Sequence, residues 1–353
     1  MFLNTELFGH QRGASNKGYK KIKYGTMVLS TQNLHLGNAN VNLRFDHGMV
    51  SPAYKTYDIT GCSVDLIAQW IKSDAAKRFF YNATTVGASV CRRNVEWDTL
   101  YEQSLYLPCR DEQEKVAKFL GLLSNRINKQ QQFVTALKKY KRGVFEAVFS
   151  RKLRLIPKAR QSDWTAFKLG DFATRITRKN NGVTDIPLTI SAQYGLIDQR
   201  DFFSKVVASS DMSGYYLLRR GEYAYNRSTS NDYPFGSIKR LELYNEGAVS
   251  TLYLCFAIKE DVVLSNFAKW YFESSQWHRG VNEICAEGAR NHGLLIVPTD
   301  GFFDTVHILP SDIEEQAQIA AFLSRVHDKL AKAQEELDKL IGLRNGLMQQ
   351  LFI

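Results

Sequence analysis

Two long stretches of the chain space their apolar residues by alternating steps of four and three. These positions are Val116, Leu120, Leu123, Ile127, Val134 and Leu137 in the first stretch, and Ile319, Leu323, Val326, Leu330, Leu337 and Leu340 in the second. Such spacing places the side chains along one narrow face of an α-helix, as in the a and d positions of a coiled coil. Neither stretch contains proline. The 38 residues from Glu112 to Phe149 would form a helix about 57 Å long, which exceeds the usual length in a globular domain.

The two predicted helices match each other position by position, which indicates that they pair. Adding 203 to each seam position of the first helix gives a seam position of the second, and the basic residues Lys141 and Arg344 occupy the same slot. A single amphipathic run is more often a core helix of a bundle. Here each apolar seam lies on an otherwise charged surface, and the nearest equivalent seam belongs to the other helix. We therefore expect pairing within the chain, antiparallel if a pseudo-twofold axis relates the two halves.

The matching helices are the end of a longer internal repeat. Residues 46–59 (DHGMVSPAYKTYDI) and 245–258 (NEGAVSTLYLCFAI) share five of fourteen residues at an offset of 199. Further matches follow at offsets of 202 and 203, among them Glu112-Gln113 with Glu315-Gln316. Chance similarity would not preserve order and spacing over more than a hundred residues, so the chain contains two copies of one module.

Each module also predicts a mixed α/β domain ahead of its long helix. Residues 215–226 and 248–258 carry strand-like runs of aromatic and β-branched residues, and residues 64–82 and 265–281 carry apolar residues at helical spacing. The polar, basic segment 151–163 predicts a linker. The expected fold is α+β, with two tandem mixed α/β domains separated by two long, antiparallel, coiled-coil-like helices. The predicted boundaries are 1–109 for the first domain, 110–155 for the central helix, 156–310 for the second domain and 311–353 for the C-terminal helix.

Composition narrows the class of protein. Hydrophobic residues make up 44% and charged residues 23%, and no apolar run approaches the roughly 18 residues of a membrane span. The N-terminal residues show no export or transit pattern, so we expect a cytoplasmic protein without a membrane partner. Five cysteines without a CxxC pair argue against a disulfide framework or a zinc ribbon. A net charge of +10 favours an acidic partner such as nucleic acid.

Four segments of the second copy carry a specific set of motifs. They are WTAFKLGDFATRI (164–176), RRGEYAYNRS (219–228), EGARNHGLLIV (287–297) and ILPSDIEEQAQIAAFLS (308–324). The first copy contains a counterpart of the last segment, LYLPCRDEQEKVAKFLG (105–121). In this organisation, which covers nearly the whole chain, the protein resembles the specificity (S) subunits of type I restriction-modification systems.

The resemblance implies a sequence-specific DNA-binding subunit with no catalytic residues of its own. Each α/β domain would be a target recognition domain that recognises one half of a split site in double-stranded DNA. The long helices would hold these domains apart and bind two methyltransferase (M) subunits and, in a full complex, up to two restriction (R) subunits. S-adenosylmethionine (SAM), ATP and Mg would be bound by those partner subunits, so we expect no cofactor or metal in this chain.

The first recognition domain is predicted to be shorter than the second. Gly25 aligns with Gly221 at an offset of 196, so residue 1 would correspond to residue 197, whereas the second domain opens at Trp164. We therefore expect the first domain to lack a counterpart of the segment 164–196. A truncated product, a misplaced start and a natural variant would all give this pattern.

The candidate DNA contacts are polar and basic residues in predicted loops. Arg suits guanine, Asn suits adenine, and both Arg and Lys suit phosphate. In the second domain the candidates are Asn226, Arg227, Ser228, Ser230, Asn231 and Tyr233 after a strand, Arg290, Asn291 and His292 in a glycine-flanked loop, the basic run Arg175, Arg178, Lys179 and Asn180, and Tyr194. In the first domain they are Ser30, Gln32, Asn33, Arg92 and Arg93. An ordinary solvated loop has the same composition, so the sequence leaves both interpretations open.

Two other classes of function remain as alternatives. A coiled-coil adaptor that has lost DNA recognition would carry the same helices and bind proteins alone. A self-sufficient nuclease or methyltransferase is disfavoured, because the sequence contains no GxxxxGK[ST] motif, no Gly-rich methyl-donor fingerprint, and no HxH or HExxH motif.

Overall fold

The computed structural model describes residues 18–86, 93–157, 161–191, 194–202, 211–230, 233–285 and 293–352. It divides into two compact units: unit 1 comprises Met1–Thr135 and Lys332–Ile353, and unit 2 comprises Ala136–Ala331. Within the ranges described, every helix falls short of the length or the apolar character that a transmembrane span requires.

Unit 1 has the following elements in chain order. They are β1 (Lys20–Lys23), β2 (Thr26–Ser30), a 3₁₀ turn (Leu34–Leu36), β3 (Ala39–Val41), β4 (His47–Val50), β5 (Tyr54–Asp58), α1 (Val64–Trp70), α2 (Asp74–Asn82), β6 (Thr84–Val86), β7 (Arg93–Val95), α3 (Trp97–Glu102) and the first part of α4 (Arg110–Phe149).

Unit 2 begins with the remainder of α4. It continues with β8 (Trp164–Lys168), α5 (Leu169–Phe172), β9 (Ala173–Ile176), β10 (Leu188–Ser191), β11 (Gly195–Asp198), α6 (Gln199–Phe202), β12 (Tyr216–Arg219), β13 (Tyr223–Asn226), β14 (Ser237–Arg240), β15 (Glu246–Val249), β16 (Leu254–Ile258), α7 (Ser265–Phe272), α8 (His278–Ile284), α9 (Thr299–Phe303), β17 (Val306–Pro310) and the start of α10 (Ile313–Leu351). The end of α10 belongs to unit 1.

Both units pair their equivalent strands in the same antiparallel way. In unit 1, β1 pairs with β4, and β2 lies between β3 and β5. In unit 2, β12 pairs with β15, and β13 lies between β14 and β16. Unit 2 adds β9 on the outer edge of β16, a β8–β17 pair and a β10–β11 hairpin. The predicted α+β class is confirmed, and the internal repeat is visible in the strand order.

Some predicted runs turn out to be two elements each. The strand-like run 215–226 forms β12 and β13, which bend apart at Gly221, where the backbone has a φ of 91°. The helical run 64–82 is interrupted before Ser73, whose hydroxyl accepts a hydrogen bond from the Ala76 N–H and begins α2. Capping residues of this kind satisfy the free N–H groups of a first helical turn. Apolar periodicity alone does not mark such a break.

The Pro…Glu-Gln signature has the same structural role in both copies. In unit 1 the Gln113 side chain accepts from the Ser63 N–H at 2.8 Å and donates to the Pro108 carbonyl at 2.9 Å. In unit 2 the Gln316 side chain accepts from the Leu264 N–H at 2.8 Å and donates to the Pro310 carbonyl at 3.0 Å. Both glutamines are buried. Because a buried amide must satisfy its donors and acceptor, the glutamine holds the long helix against its own domain.

Helices α4 and α10 contact each other within each unit. In unit 1, Arg126 pairs with Glu336 at 3.1 Å, and Gln130 donates to the Ala333 carbonyl at 2.8 Å. Positions rise along one helix as they fall along the other, so the helices run antiparallel there. In unit 2 the Lys141 ammonium lies 3.1 Å from His327 Nδ1.

All twelve predicted seam residues are removed from solvent at least in part. Leu120, Val134, Leu137, Ile319, Leu323 and Leu337 are buried, and Val116, Leu123, Ile127, Val326, Leu330 and Leu340 are half-buried.

Candidate nucleic-acid interface

The loop that follows β13 in unit 2 is held in shape by its own backbone. The Asn226 side chain accepts from the Ser228 N–H at 3.0 Å, and the Ser230 and Tyr233 backbones exchange two hydrogen bonds of 3.1 Å. Gly236 closes the loop with a φ of 74°, and a Cβ there would lie 2.1 Å from the Asn226 carbonyl oxygen. Only glycine fits that position. Ser228 and Ser230 are exposed on this fixed backbone, while Asn231 lies outside the described residues.

A second segment, 293–295, joins this loop. The Thr229 N–H donates to the Gly293 carbonyl at 2.6 Å, and the Leu295 N–H donates to the Arg227 carbonyl at 3.0 Å. Ser228 and Leu294 form an isolated β-bridge between them. The candidates Arg290, Asn291 and His292 lie outside the described residues and directly precede Gly293 in the chain. We call residues 226–230 with 293–295 the loop pair of unit 2.

Unit 1 contains the same arrangement. Its loop pair consists of residues 30–33 with 93–94. The Asn33 N–H donates to the Arg93 carbonyl at 3.3 Å, and the Arg93 N–H donates to the Asn33 side chain at 3.1 Å. Gln32 and Asn94 form the isolated bridge that corresponds to Ser228 and Leu294. The structure therefore brings together, in each unit, two segments that are about 60 residues apart in the chain, as the 60-residue separation of Asn33 and Arg93 illustrates.

Each loop pair also contacts the turn before the next sheet strand. In unit 2 the Arg227 guanidinium donates to the Leu252 carbonyl at 2.9 Å. In unit 1 Thr31, the counterpart of Arg227, donates to the Ala53 carbonyl at 3.1 Å. Arg227 Nε is buried and has no hydrogen-bond partner within the described residues, so it is not among the donors that an outside ligand could reach. Because the two Nη atoms of a guanidinium carry four N–H donors, Arg227 keeps Nη donors beyond the one that bonds to Leu252.

Strand register places Lys179 at the same end of unit 2 as the loop pair. Tyr225 lies opposite Leu254, so the residues after β13 lie beside the turn that precedes β16. Tyr216 lies opposite Val249, directly before that turn, and forms a bridge with Lys179. The Lys179 ammonium lies 4.7 Å from the centre of the Tyr216 ring and bonds to the Gly214 carbonyl, while its side chain remains exposed.

Tyr194 lies at that end as well. It sits in the turn between β10 and β11, where its N–H donates to the Ser191 hydroxyl at 3.2 Å. Pro187 pairs in parallel with Ala248, so β10 runs in the same direction as β15. Tyr194, which follows β10, therefore lies at the same end of unit 2 as the turn that follows β15. The Tyr194 side chain is 61% exposed. An exposed tyrosine at this end is suited to contact a nucleic acid, either by stacking on a base or by donating to a phosphate.

Two members of the basic run are engaged within the domain. Arg178 pairs with Glu222 at 2.7 Å and donates to the Leu217 carbonyl at 3.2 Å. Asn180 is 1% exposed, and its amide donates to the Thr184 and Met212 carbonyls. Their role in this structure is to hold the loop that follows β9. Sequence reasoning grouped them with Lys179 because spacing within a loop does not reveal which side chain turns inward. Arg175 on β9 is exposed.

The first-domain candidates divide in a similar way. Gln32 is exposed, whereas the Ser30 hydroxyl donates to the Gln32 carbonyl at 2.8 Å. Arg93 bonds twice to Thr84, through Nε to the hydroxyl and through Nη2 to the carbonyl, and its guanidinium lies 4.2 Å from the centre of the Tyr81 ring. This guanidinium therefore ties the second segment of the loop pair to Thr84 and Tyr81 inside the domain. Arg92 lies outside the described residues.

Comparisons with known proteins show which fold this is. The chain matches no protein-family model, and no curated protein is significantly similar to it. Among solved structures, a type I restriction-modification S subunit from M. genitalium matches 97% of this chain and 87% of its own at 13% identity, with a TM-score of 0.58. A chain from a structural study of assembly and conformational transition in the type I restriction-modification system matches 96% of this chain and 84% of its own at 13% identity, with a TM-score of 0.54. The chain has the S-subunit fold. The HsdS subunit from Thermoanaerobacter tengcongensis also aligns, at 15% identity over 96% of this chain and 83% of its own, with a TM-score of 0.47.

In this fold the two loop pairs lie at equivalent places of a repeated domain. Both are built on the two copies of the repeated domain, at equivalent positions and with equivalent backbone bonds. Sequence reasoning missed Thr31 and the turns at Ala53 and Leu252, which position the loops through their carbonyls. Backbone acceptors leave no signature in side-chain chemistry, so the available signal was the repeated Gly-x-Val-Ser pattern that precedes both turns.

Proposed function

We propose that this chain is the specificity subunit of a type I restriction-modification complex. In this role it binds a bipartite DNA target, with one half-site recognised by each unit, and it binds M subunits and, in a full complex, R subunits. Chemistry on the DNA belongs to those partners, which bind SAM, ATP and Mg, and the complex acts in the cytoplasm. The alternative is a coiled-coil adaptor without DNA recognition, and the experiment below distinguishes it from a specificity subunit.

The observation that carries the proposal is the repetition of the loop pair. Two units of one fold each present a fixed loop and a second segment joined at the same backbone positions, Thr229 with Gly293 and Asn33 with Arg93. A protein that recognises two half-sites needs two such surfaces, and their differing side chains allow different half-sites. The net charge of +10 is consistent with binding to the phosphate backbone.

In unit 2 the proposed contacts divide by chemistry. Arg227, Ser228 and Ser230 lie on the loop pair and are suited to base edges. Lys179 and Tyr194, at the end of unit 2 where the loop pair lies, and Arg175 on β9 are suited to phosphate contacts and stacking. In unit 1 Gln32 is the exposed candidate on the loop pair.

The test is methylome sequencing of cells with and without this chain. A split adenine motif that is methylated only when the chain is present supports the proposal and identifies the target. Identical methylomes overturn it and favour the adaptor.

The role of unit 2 is tested with an Arg227→Ala chain in the same cells. We expect methylation to weaken or to relax at one half of the motif only, since one base contact contributes about 1–3 kcal/mol. Arg220→Ala is the matched control, because Arg220 is an exposed arginine beyond the opposite end of β12. If Arg227→Ala leaves the methylome unchanged, Arg227 does not contact the DNA target.

A further inference from the structure

Each loop pair contains an isolated β-bridge that brings two side chains together. In unit 2, backbone hydrogen bonds of 2.6 and 3.0 Å flank the bridge between Ser228 and Leu294, one on each side. In unit 1, a backbone hydrogen bond of 3.3 Å flanks the bridge between Gln32 and Asn94 at the equivalent place. Residues flanked in this way form a non-hydrogen-bonded pair of an antiparallel ladder, whose two side chains lie close together on one face. We call these two residues the bridge pair of each unit.

The bridge residue of the second segment faces outward in both units. In unit 2, Leu294 is 39% exposed, whereas the next residue, Leu295, is 2% exposed. In unit 1, Asn94 is exposed, whereas the next residue, Val95, is 8% exposed. Successive side chains of an extended segment point to opposite faces. The buried residue therefore holds the segment against the core, and the bridge residue points away from the core.

The bridge pair of unit 1 carries two amides. Gln32 and Asn94 are both exposed, and neither side-chain amide is hydrogen-bonded to another of the residues that the structure describes. In the major groove, the amide of Asn or Gln pairs with adenine through two bonds, because it accepts from the N6 amino group and donates to N7. The chemistry of this bridge pair therefore suits adenine.

The bridge pair of unit 2 consists of a hydroxyl and an apolar side chain. Ser228 is exposed beside Leu294, and Ile296, which is 63% exposed, lies two residues further along the same segment. Leu252, in the turn that lies beside the loop pair, is 60% exposed. A leucine neither donates nor accepts a hydrogen bond. Thymine carries a methyl group on its major-groove edge, and apolar side chains recognise thymine through this group. The chemistry of this bridge pair therefore suits thymine.

We propose that each bridge pair determines one base of the half-site that its unit recognises. Ser228 and Leu294 select a thymine through its C5 methyl group, and Gln32 and Asn94 select an adenine. The inference rests on the proposed function, because it names the base chemistry that the two loop pairs would recognise. Two copies of one fold would thereby recognise different bases with residues at the same position of the repeat.

The first test exchanges the two second-segment residues and reads the methylome. In cells that carry Leu294→Asn, we expect the motif to relax at a thymine, in the half-site that Arg227→Ala also affects. In cells that carry Asn94→Leu, we expect it to relax in the other half-site, at an adenine that is not itself methylated, because a base under reaction leaves the stack. Leu243→Asn is the matched control and should leave the motif unchanged. Leu243 is 60% exposed and follows β14 at the end of β13 opposite to the loop pair.

The second test removes the methyl group from the DNA and leaves the protein unaltered. Uracil replaces each thymine of the unit 2 half-site in turn, and binding of each duplex to the complex purified with the chain is titrated. At one position we expect binding to weaken about fourfold, the effect of one buried methyl group. With a Leu294→Ala chain, the thymine and uracil duplexes should bind equally at that position, because the contact is already absent.

The outcomes distinguish this inference from the proposed function. If no methylated motif depends on the chain, the proposed function fails and the inference fails with it. If the motif depends on the chain but Leu294→Asn and Asn94→Leu leave it unchanged, only the inference is overturned. It is also overturned if uracil is tolerated at every thymine of the unit 2 half-site. An equal loss of binding with uracil in the unaltered and Leu294→Ala chains would assign the methyl contact to another residue and would overturn it as well.

Discussion

Gln130 donates a hydrogen bond to the backbone carbonyl of Ala333, the residue that occupies its own position in the second copy, 203 residues later. In an antiparallel pair related by a two-fold axis, only the residues at the axis meet their counterparts. Gln130 therefore lies at the local two-fold axis that relates α4 to α10. A polar residue in an apolar seam is also a common device for fixing register, since a slipped pairing would leave it without a partner.

The seam should carry much of the stability of the helix pair. Leu337 is 2% exposed on α10, and Leu337→Ala should lower the free energy of unfolding by about 2–5 kcal/mol, because it removes buried methyl groups and leaves a cavity. Leu343→Ala, at a position 53% exposed on the same helix, should change it by less than about 0.5 kcal/mol. Urea denaturation of the two variants measures the difference. Equal losses would show that the predicted seam does not bear on stability.

The glutamine that anchors each long helix should be equally sensitive. Gln316→Ala leaves the Leu264 N–H and the Val262 and Pro310 carbonyls without their partner. The unmade bonds should cost about 2–4 kcal/mol of unfolding free energy, since each unsatisfied buried group costs about 1–3 kcal/mol and these are partly relieved by relaxation. Gln318→Ala, two residues on and exposed, serves as control in the same urea experiment. A loss below 1 kcal/mol would contradict the anchoring role.

The loop pair of unit 2 depends on one glycine for steric reasons. In Gly236→Ala the new Cβ would lie 2.1 Å from the Asn226 carbonyl oxygen, at a φ of 74°, so the loop must shift. Gly221→Ala has a similar φ of 91° but nothing within 4 Å, so it isolates the cost of the left-handed conformation, about 1 kcal/mol. Proteolysis at the 226–236 loop should accelerate in Gly236→Ala and remain unchanged in Gly221→Ala. Equal behaviour would mean that the close approach does not hold the loop.

The sequence predicts the fold better than it predicts the orientation of side chains in the loops. The repeat, the seam and the α+β class follow from periodicity and spacing, because burial imposes them directly on residue type. The DNA contacts in the loops stay predictions, and spacing could not reveal that Arg178 and Asn180 turn inward or that Arg93 bonds to Thr84. The joining of segments 60 residues apart depends on a bond from the Asn33 N–H to the Arg93 carbonyl and one from the Arg93 N–H to the Asn33 side chain. The first bond involves no side chain, and the residue type of Asn33 does not indicate which distant backbone group its side chain will meet.

Stability should fall with acid because of His307. The ring is buried between the Tyr271 hydroxyl and Thr305 Oγ1, both 2.9 Å away, and burial lowers its pKa to about 4. An unfolded histidine has a pKa of about 6.5. Between these values the unfolded chain binds a proton that the folded chain does not, so stability decreases as pH falls from about 6.5 towards about 4 and is unaffected by this group above that range.

The expected loss from this group between pH 7 and pH 5 is about 2 kcal/mol. Urea denaturation at the two pH values measures it, and His307→Gln should reduce the difference by about that amount, whereas the exposed His47→Gln should leave it unchanged. If His307→Gln keeps the full pH dependence of the unaltered chain, another group is responsible.

Salt dependence should separate phosphate contacts from base contacts in the proposed interface. Lys179→Gln removes an exposed cation at the loop-pair end of unit 2. It should weaken binding to all duplexes alike and reduce the slope of log affinity against log salt by about 0.9, the value for one released counterion. Arg227→Ala should instead narrow the gap in affinity between target and non-target duplexes. Lys168→Gln, an exposed lysine on β8, controls for loss of charge alone. If Lys168→Gln and Lys179→Gln change the slope equally, the DNA does not lie against the loop pair, because counterion release reports only the cations that the phosphates reach.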